Sequence, residues 1–414
     1  MKNILRTSIS GIFASLLLFA NVQAQDCFSP SNPGSCYTPY DDSGCANRYW
    51  FEADYLYWQV KRADDPTPFV VANDSLISGD VLDQEGSHTV LGGDHLKSKW
   101  RSGGKFALGY WFDDCRTWGA EANYFFLPQN SRTHGVFSNG LAGSDYLYIP
   151  FFDTSIDAEN SVVIANPSVN GHNAFSGAAR LKSSNRMQGA ELNAIAGGWL
   201  KDCDYNVDLL AGFRYWNFNE DLTFSTNSPY LNNDFNNRFL QDRTDIFTTS
   251  DQFKVDNNFY GAQVGFNATT TWNCFFLNLK AKVALGGIVK NIKTRGRLVT
   301  NDFDRFNDPQ IFDGGYFVQY PRKHTNTKFS VLPEVNLNVG YQVMDGCKIQ
   351  VGYTFLYVSN VLRAGRVVNR DINSAASNAI SDLPVVSAER NNRCGRSSDG
   401  IWAQGVNVGF TFEF

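Results

Sequence analysis

The sequence predicts an all-β fold, a transmembrane antiparallel up-and-down β-barrel of about ten strands. Three observations indicate it: an N-terminal export signal, about ten segments with an apolar residue at every second position, and connections that alternate between short and long. Aromatic residues make up 14% of the chain and glycine occurs 35 times, while the mean hydropathy is −0.30. Because no long apolar run follows the N-terminus, helical membrane spans are excluded, and strands would have to cross the bilayer.

The first residues predict export. Lys2 and Arg6 form a short positive region, ISGIFASLLLFANV supplies the apolar core after it, and the VQA that overlaps the end of this core fits a small-residue cleavage site. We expect a cleaved signal peptide over 1–24, since the run is short for an uncleaved anchor of about 20 residues. Residues 25–47 then form a Cys/Pro/Ser-rich periplasmic segment, and residues 48–414 form the barrel in the cell outer membrane.

The charge balance limits the classes of partner. The mature chain carries 34 basic residues (36 minus Lys2 and Arg6) against 41 acidic ones, a net charge of −7. An acidic protein is a poor match for nucleic acid or for an anionic membrane surface, because both repel negative charge.

The predicted strands share a period of two. In the first, Tyr49, Phe51 and Tyr55 share one face, and Glu52 and Asp54 share the other. One such segment would also fit a soluble sandwich, but ten with charges on the non-apolar side and aromatics near their ends favour a lipid-facing barrel. The segments, in order, are YWFEADYLYW, KFALGYWF, TWGAEANYFF, GAELNAIA, YNVDLLAGFRYW, NFYGAQVGFNATTTW, FFLNLKAKVALG, FSVLPEVNLNVGYQV, KIQVGYTFLYV and VNVGFTFEF.

The polar side of these strands is predicted to face the lumen and to line a pore. The charged side chains there would set ion preference; the alternative for each of them is a salt bridge inside a filled lumen. The expected pore-lining residues are Glu52, Asp54, Lys105, Glu121, Asn123, Glu191, Asn193, Asp208, Arg214, Gln263, Asn267, Asn278, Lys280, Lys282, Glu334, Asn336, Asn338 and Lys348.

The connections predict the topology. Four are very short, around DDCR, KDCD, WNC and MDGC, and match periplasmic turns. The long ones, read as extracellular loops, cover roughly 61–101, 128–186, 219–257, 291–328 and 361–400. Counting from Tyr49 gives ten strands with both termini in the periplasm. The longest loop contains SDYLYIPFFD and NSVVIA, which could add a hairpin, so twelve strands is the alternative.

The cysteines are concentrated on the predicted periplasmic side, where disulfides persist. Neighbouring turns lie about 10 Å apart, whereas a disulfide needs Cα atoms within about 7 Å. We therefore expect turn cysteines to pair with the N-terminal segment or with other proteins; free thiols are the alternative. No C-x2-C or paired histidine suggests a metal site. The disulfide candidates are Cys27, Cys36, Cys45, Cys115, Cys203, Cys274 and Cys347; Cys394 falls in an outer loop.

The histidines give no sign of catalysis. All five fall in predicted long loops, whereas a nucleophile needs a base held by rigid neighbours. HExxH, GxSxG and phosphate-loop patterns do not occur either. The expectation is a protein that is not an enzyme and needs no cofactor. The histidines are His88, His95, His134, His172 and His324.

Several segments resemble those of the seventh family of β-barrel porins. The likeness extends from about Tyr49 to Phe414 and includes FEADYLYW, RSGGKFALGYWFDDCRTWGAEANYFFL, GAELN, DLLAGFRYWNFNEDL, FYGAQVGFNA and FFLNLKAKVALG. The resemblance implies an outer-membrane pore for passive diffusion of ions and small hydrophilic solutes. The alternative is a structural outer-membrane protein, alone or oligomeric, cross-linked through periplasmic cysteines to other envelope proteins, with loops that serve contact or adhesion.

The last strand adds a targeting expectation. Phe410, Phe412 and Phe414 share one face of VNVGFTFEF, and the chain ends on the last of them. A terminal aromatic strand resembles the signal that the outer-membrane assembly machinery reads.

Overall fold

A computed structural model describes residues 47–62, 67–93, 100–167, 175–201, 205–229, 247–300, 309–380 and 398–414. The predicted signal peptide and N-terminal segment lie outside these residues, as do Cys27, Cys36, Cys45, Cys203, Cys394, His95 and His172. The strands are β1 (Tyr49–Val60), β2 (Pro68–Asn73), β3 (His88–Gly92), β4 (Arg101–Trp111), β5 (Trp118–Ser138), β6 (Tyr146–Asp153), β7 (Ala158–Ala165), β8 (Gly177–Lys201), β9 (Tyr205–Asn227), β10 (Phe247–Trp272), β11 (Phe275–Thr300), β12 (Gln310–Asp313), β13 (Arg322–Met344), β14 (Cys347–Val361), β15 (Asp371–Ile372) and β16 (Asp399–Glu413).

Ten of these strands form a closed antiparallel barrel, which confirms the predicted fold class. The order around the ring is β1, β4, β5, β8, β9, β10, β11, β13, β14 and β16. The last strand closes the ring against the first, in continuous register from Trp50↔Glu413 to Val60↔Ala403. Within the described residues, no helix is both long and apolar enough to span a membrane.

The period of two separates the inside of the barrel from the outside, as predicted. On β1, Tyr55 and Tyr57 project outward and are about half exposed, whereas Leu56 and Trp58 point inward and are buried. An outward apolar band that closes on itself suits a bilayer, because every backbone group is paired within the ring.

The strands differ greatly in length, which corrects the predicted loop boundaries. β8, β9, β10, β11 and β13 have 23 to 26 residues, whereas β1 and β4 have 12 and 11. Much of 128–186, 219–257 and 291–328 is therefore strand rather than loop. Above the membrane band the outward positions become polar, so the alternation fades although the hydrogen-bonded ladder continues.

Three histidines lie on these extensions and in a second sheet, which corrects the placement of all histidines in loops. His88 begins β3, His134 lies in β5 and His324 lies in β13. The parts of β5 and β13 that carry His134 and His324 were read as loop, because their outward positions are polar and show no apolar alternation.

A second sheet lies at the extracellular end. Its order is β15, β6, β2 and β3, with β7 paired to β6. The hairpin predicted as an alternative within the longest loop is present and consists of β6 and β7. It belongs to the second sheet, so the barrel has ten strands and not twelve. Phe69 and Ile149 of the sheet share one apolar core with Phe224, Phe253 and Ile292, which point inward from the tall strands.

Candidate functional site

The lumen is the candidate functional site, and it has three levels. Polar and charged side chains occupy the periplasmic half, an apolar layer lies above them, and the second sheet with an inward-folded segment covers the top. All eighteen residues predicted to line a pore lie on the inward face of the barrel, on nine of its ten strands. The levels differ in what fills them.

Four charged residues from four strands form the central cluster of the polar half. Arg214 on β9 is fully buried; its Nη1 lies 3.3 Å from Glu191 on β8, and its Nη2 donates to Glu334 on β13. Lys282 on β11 donates to both oxygens of Glu191 at 2.9 and 2.7 Å and lies 3.3 Å from Glu334. Two cations thus share two carboxylates, which offsets the cost of removing four charges from water.

A second ion pair crosses the lumen directly. Lys280 on β11 donates to Glu121 on β5 at 2.9 Å, and β8, β9 and β10 separate these strands around the ring. The two strands therefore lie on nearly opposite walls. Side chains span the barrel at this height, as expected for a ring not much larger than the eight-stranded barrels that side chains fill.

A third group of charges lies beside β1. Lys105 on β4 donates to Glu52 at 2.6 Å and to Asp54 at 3.3 Å, and Gln350 on β14 donates to Asp54 at 3.0 Å. Gln350 lies on the inward side of KIQVGYTFLYV, but it was not among the residues predicted to line the pore.

Amide side chains fill the space between the charges. Gln263 donates to Glu191 at 3.0 Å, and Asn193 donates to Glu121 and to Glu191, each at 3.4 Å. Of the remaining predicted residues, Asn123 donates to Glu121, Asn336 to Thr354, Asn278 to Asn267, and Asn267 to Asp208, while Asn338 lies buried on β13. The side-chain oxygens of Asn123, Gln263, Asn336 and Asn338 have no protein partner within the described part of the chain.

The periplasmic mouth carries a smaller charged group. Lys348 donates to Glu413, and Arg116 lies 3.5 Å from the same carboxylate. Of the described cysteines, Cys115 and Cys347 are free thiols in the turns beside this mouth, and Cys274 is half of a disulfide whose other half lies outside the described residues.

Above the polar half, inward apolar side chains close the lumen. This layer was not predicted from the sequence. A run of consecutive apolar residues, such as Tyr55 to Trp58, could have revealed it, because such a run has apolar side chains on both faces of the strand. The members of this layer come from nine of the ten barrel strands, all but β4, so they meet across the lumen. The layer consists of Leu56, Trp58, Val60, Phe125, Leu127, Met187, Trp216, Phe218, Phe259, Ala284, Ile288, Leu332, Leu356, Val358, Val361, Ile401 and Ala403.

The segment that follows β14 folds into the mouth of the barrel. Asn257 on β10 holds it by the backbone of Leu362, donating to its C=O at 2.9 Å and accepting from its N–H at 2.9 Å. Arg363 donates to both oxygens of Glu220 on β9 at 2.9 and 2.7 Å. A short 3-10 helix, Ala364–Val367, follows. A segment that starts on one wall is thus anchored on the opposite one.

Comparison with known proteins supports the barrel assignment. The family model described as "Putative beta barrel porin-7" matches residues 50–414. No curated protein matches the chain by sequence.

Solved structures with similarity include outer-membrane barrels. The outer membrane protease OmpT from Escherichia coli has 10% identity and a TM-score of 0.37, over 89% of this chain and 97% of that one. A Pseudomonas aeruginosa FadL homologue has 10% identity and a TM-score of 0.22, over 88% and 90%. The monoaromatic hydrocarbon channel TodX, as a deletion mutant, has 10% identity and a TM-score of 0.21, over 90% and 91%.

The first of these structures corrects one expectation. The sequence suggested a protein that is not an enzyme, but a protease is among the similar barrels. The expectation of a protein that is not an enzyme is therefore contradicted.

Proposed function

Because the chain belongs to the beta barrel porin-7 family, we propose that it is a gated outer-membrane porin for ions and small hydrophilic solutes, closed in the conformation described above. The observation that carries the proposal is the polar column of the periplasmic half. Charged and amide side chains line it continuously from Lys348 at the mouth to Arg214 at the centre.

A column of this kind is not needed to hold a barrel together. Buried ion pairs contribute little net stability compared with well-packed apolar side chains of similar volume. Amide oxygens without a protein partner, such as those of Asn336 and Asn338, are ordinarily satisfied by water. Hydration and mixed charge suit the passage of ions and small polar solutes, with an ion preference set by the exposed charges.

Closure of the extracellular half arises from the two upper levels, while the Lys280–Glu121 bridge narrows the polar half. The apolar layer excludes water, and the segment 362–372 packs above it through the Arg363–Glu220 pair and the Asn257–Leu362 bonds. Opening requires this segment to leave the opposite wall. The Arg363–Glu220 pair holds the segment in the closed position. Once the two side chains separate, each charge is more stable in water than in the interior.

Single-channel recording in a planar bilayer tests the proposal. We expect wild type to be closed for most of the record, with brief discrete openings, and the double variant E220Q/R363Q to be open for a much larger fraction of the time. A matched control is N291Q on β11, which changes a partly exposed polar residue outside the lumen. Silence of all three proteins, with folding checked by circular dichroism, would overturn the proposal.

A second function is favoured by a specific observation. The Lys280–Glu121 bridge and the apolar layer together fill the lumen, as in a barrel that serves as a structural envelope component. Such a protein could be linked through its periplasmic thiols Cys115 and Cys347 to other envelope proteins. Migration without reductant tests this: high-mass bands that collapse with thiol support the cross-linked role, and a lone monomer band opposes it.

Export and assembly complete the proposal. A signal peptide cleaved near Gln25 would deliver the chain to the periplasm, and Phe410, Phe412 and Phe414 would present it to the outer-membrane assembly machinery. Their outward positions on β16 support this role, since all three rings are accessible from the bilayer side.

A further inference from the structure

Three lysines lie side by side on the outer surface of the tall strands. Lys254 on β10 is directly opposite Lys293 on β11, and Lys293 is directly opposite Lys323 on β13. All three side chains are exposed. We call these residues the basic row. Among the described residues, none of the three has an ion-pair partner within 4.0 Å.

This arrangement is unfavourable in isolation. Residues directly opposite in antiparallel strands have Cβ atoms about 5 Å apart, and like charges there destabilise the sheet. The chain as a whole carries a net negative charge, so the basic row is a positive patch on an acidic protein. One acidic residue, Asp221 on β9, is opposite Lys254, but its carboxylate accepts hydrogen bonds from Gln252 at 2.8 Å and Thr223 at 3.3 Å.

Neighbouring charges on the same face extend the positive field. Arg295 and Arg297 follow Lys293 at every second position of β11 and are exposed; Arg297 is opposite Asp313 on β12. Asp256 lies two residues below Lys254 and accepts from Asn217 at 2.7 Å. Positive charges therefore exceed negative ones on this part of the surface, and an anionic partner would remove the repulsion.

The surface below the row indicates that this partner is a lipid. Tyr215 and Tyr260 face the bilayer with ring centroids 5.2 Å apart, and Phe329 on β13 is 64% exposed. Such aromatics mark the membrane interface of a barrel. The row lies six residues above this interface (260 minus 254), about 20 Å along the strand at about 3.3 Å per residue. That distance exceeds an ordinary phospholipid headgroup but suits a saccharide headgroup.

Hydrogen-bonding groups occupy the interval between the aromatics and the row. Asn258 accepts from Tyr215 at 2.9 Å and from Asn217 at 3.0 Å, and Thr325 donates to Asn291 at 2.9 Å. The outer face thus changes from aromatic to amide and hydroxyl, and then to cationic. Acyl chains, sugar hydroxyls and phosphates match these three tiers in the same order.

We propose that this face of β10, β11 and β13 binds a phosphorylated glycolipid of the outer leaflet, with its anionic groups on Lys254, Lys293 and Lys323. The site lies outside the lumen and goes beyond the proposed channel function. Binding places negative charge among three positive ones and so stabilises the tall strands as well as holding the lipid.

Native mass spectrometry of the folded barrel with a purified rough lipopolysaccharide, whose core sugars above lipid A carry phosphates, tests the proposal. The row variant K254Q/K293Q/K323Q should bind about tenfold more weakly than wild type, or worse, because several cationic contacts are lost together. The matched control K182Q/K201Q/K328Q removes three exposed lysines elsewhere on β8 and β13 and should bind like wild type. Heat-dependent gel migration establishes that each variant is folded.

Two further arms identify the source of the anion. The same lipopolysaccharide without its core phosphates should bind as weakly to wild type as the intact lipid does to the row variant. Inorganic phosphate at the same phosphate concentration should not displace the glycolipid. Equal binding by the two triple variants, or full displacement by free phosphate, would overturn the proposal.

Discussion

Tyr49 and Phe414 exchange both of their backbone hydrogen bonds, at 2.8 and 2.9 Å, and their rings stack with centroids 5.8 Å apart. The first strand and the last residue of the chain thus seal the barrel at its periplasmic end. This pair gives the terminal phenylalanine a role in the folded protein besides its proposed role in targeting.

Deleting Phe414 should therefore lower both stability and outer-membrane yield. Two hydrogen bonds of about 0.5–1.5 kcal/mol each are lost, and the stacked ring is lost with them. Fractionation followed by heat-dependent gel migration measures the amount of folded barrel. The conservative variant F414Y keeps the backbone bonds and the ring and should behave like wild type. Undiminished folded barrel after the deletion would contradict the expectation.

Breaking the bridge across the lumen should be costly. Either K280Q or E121Q leaves one buried charge without its partner, which costs about 3–5 kcal/mol. The double variant should lose much less than the two single losses combined, because no unpaired charge remains. Urea-induced unfolding from lipid vesicles measures these differences. Additive losses would show that the two side chains do not interact.

The apolar layer should respond to loss of one large side chain. Trp216 is fully buried and stacks on Phe218 with centroids 6.1 Å apart, so W216A should cost about 3–5 kcal/mol. The cavity should also admit water and increase conductance between the two sides of a bilayer. The control F213A, on the same strand but facing lipid, should leave conductance unchanged. A destabilised W216A with wild-type conductance would argue against this layer as the barrier.

Acid should loosen the extracellular sheet through Asp153. Burial opposes ionisation of this carboxyl, but hydrogen bonds from Ser155 and Ser374 outweigh that effect and hold its pKa below 3.8. A lowered pKa contributes stability that is full above the ordinary value of 3.8 and is lost as pH falls through the folded value. Digestion by pepsin across this acidic range should accelerate in wild type, and D153N should lack this component of the pH dependence. Parallel profiles for the two proteins would exclude Asp153 as the cause.

The barrel was predictable because its strands obey a strict physical rule. Lipid selects an apolar residue at every second position, so the outward face of a segment such as VNVGFTFEF carries the signal by itself. The same rule placed Arg214 and Lys282 inside. The pairing of Lys280 with Glu121 was not predictable, since it depends on which strands lie opposite each other in the closed ring.

The extracellular half was less predictable because two surfaces there escape that rule. Above the bilayer both faces of a strand can be polar or apolar, so the part of β10 that precedes Asn258 in the sequence was read as loop. The inward apolar layer was read as part of the alternation, although Leu56 and Trp58 break it. Segments such as 362–372 have no period at all, and their position depends on individual contacts such as Arg363 with Glu220.

The unequal strand heights mean that the sheet has edges after all. The register of β13 with β14 begins only at Glu334, and that of β5 with β4 ends at Phe126. Above those points each strand keeps a backbone ladder with one described neighbour only, although Ser359 and Asn360 of β14 still bond to Phe329–Val331 of β13. In water, a bare edge of this kind invites pairing with another molecule. Lys323, His324 and Lys328 are exposed along the β13 edge. Charged side chains at such positions discourage strand addition, so this chain protects against aggregation the part of its sheet that barrel closure does not cover.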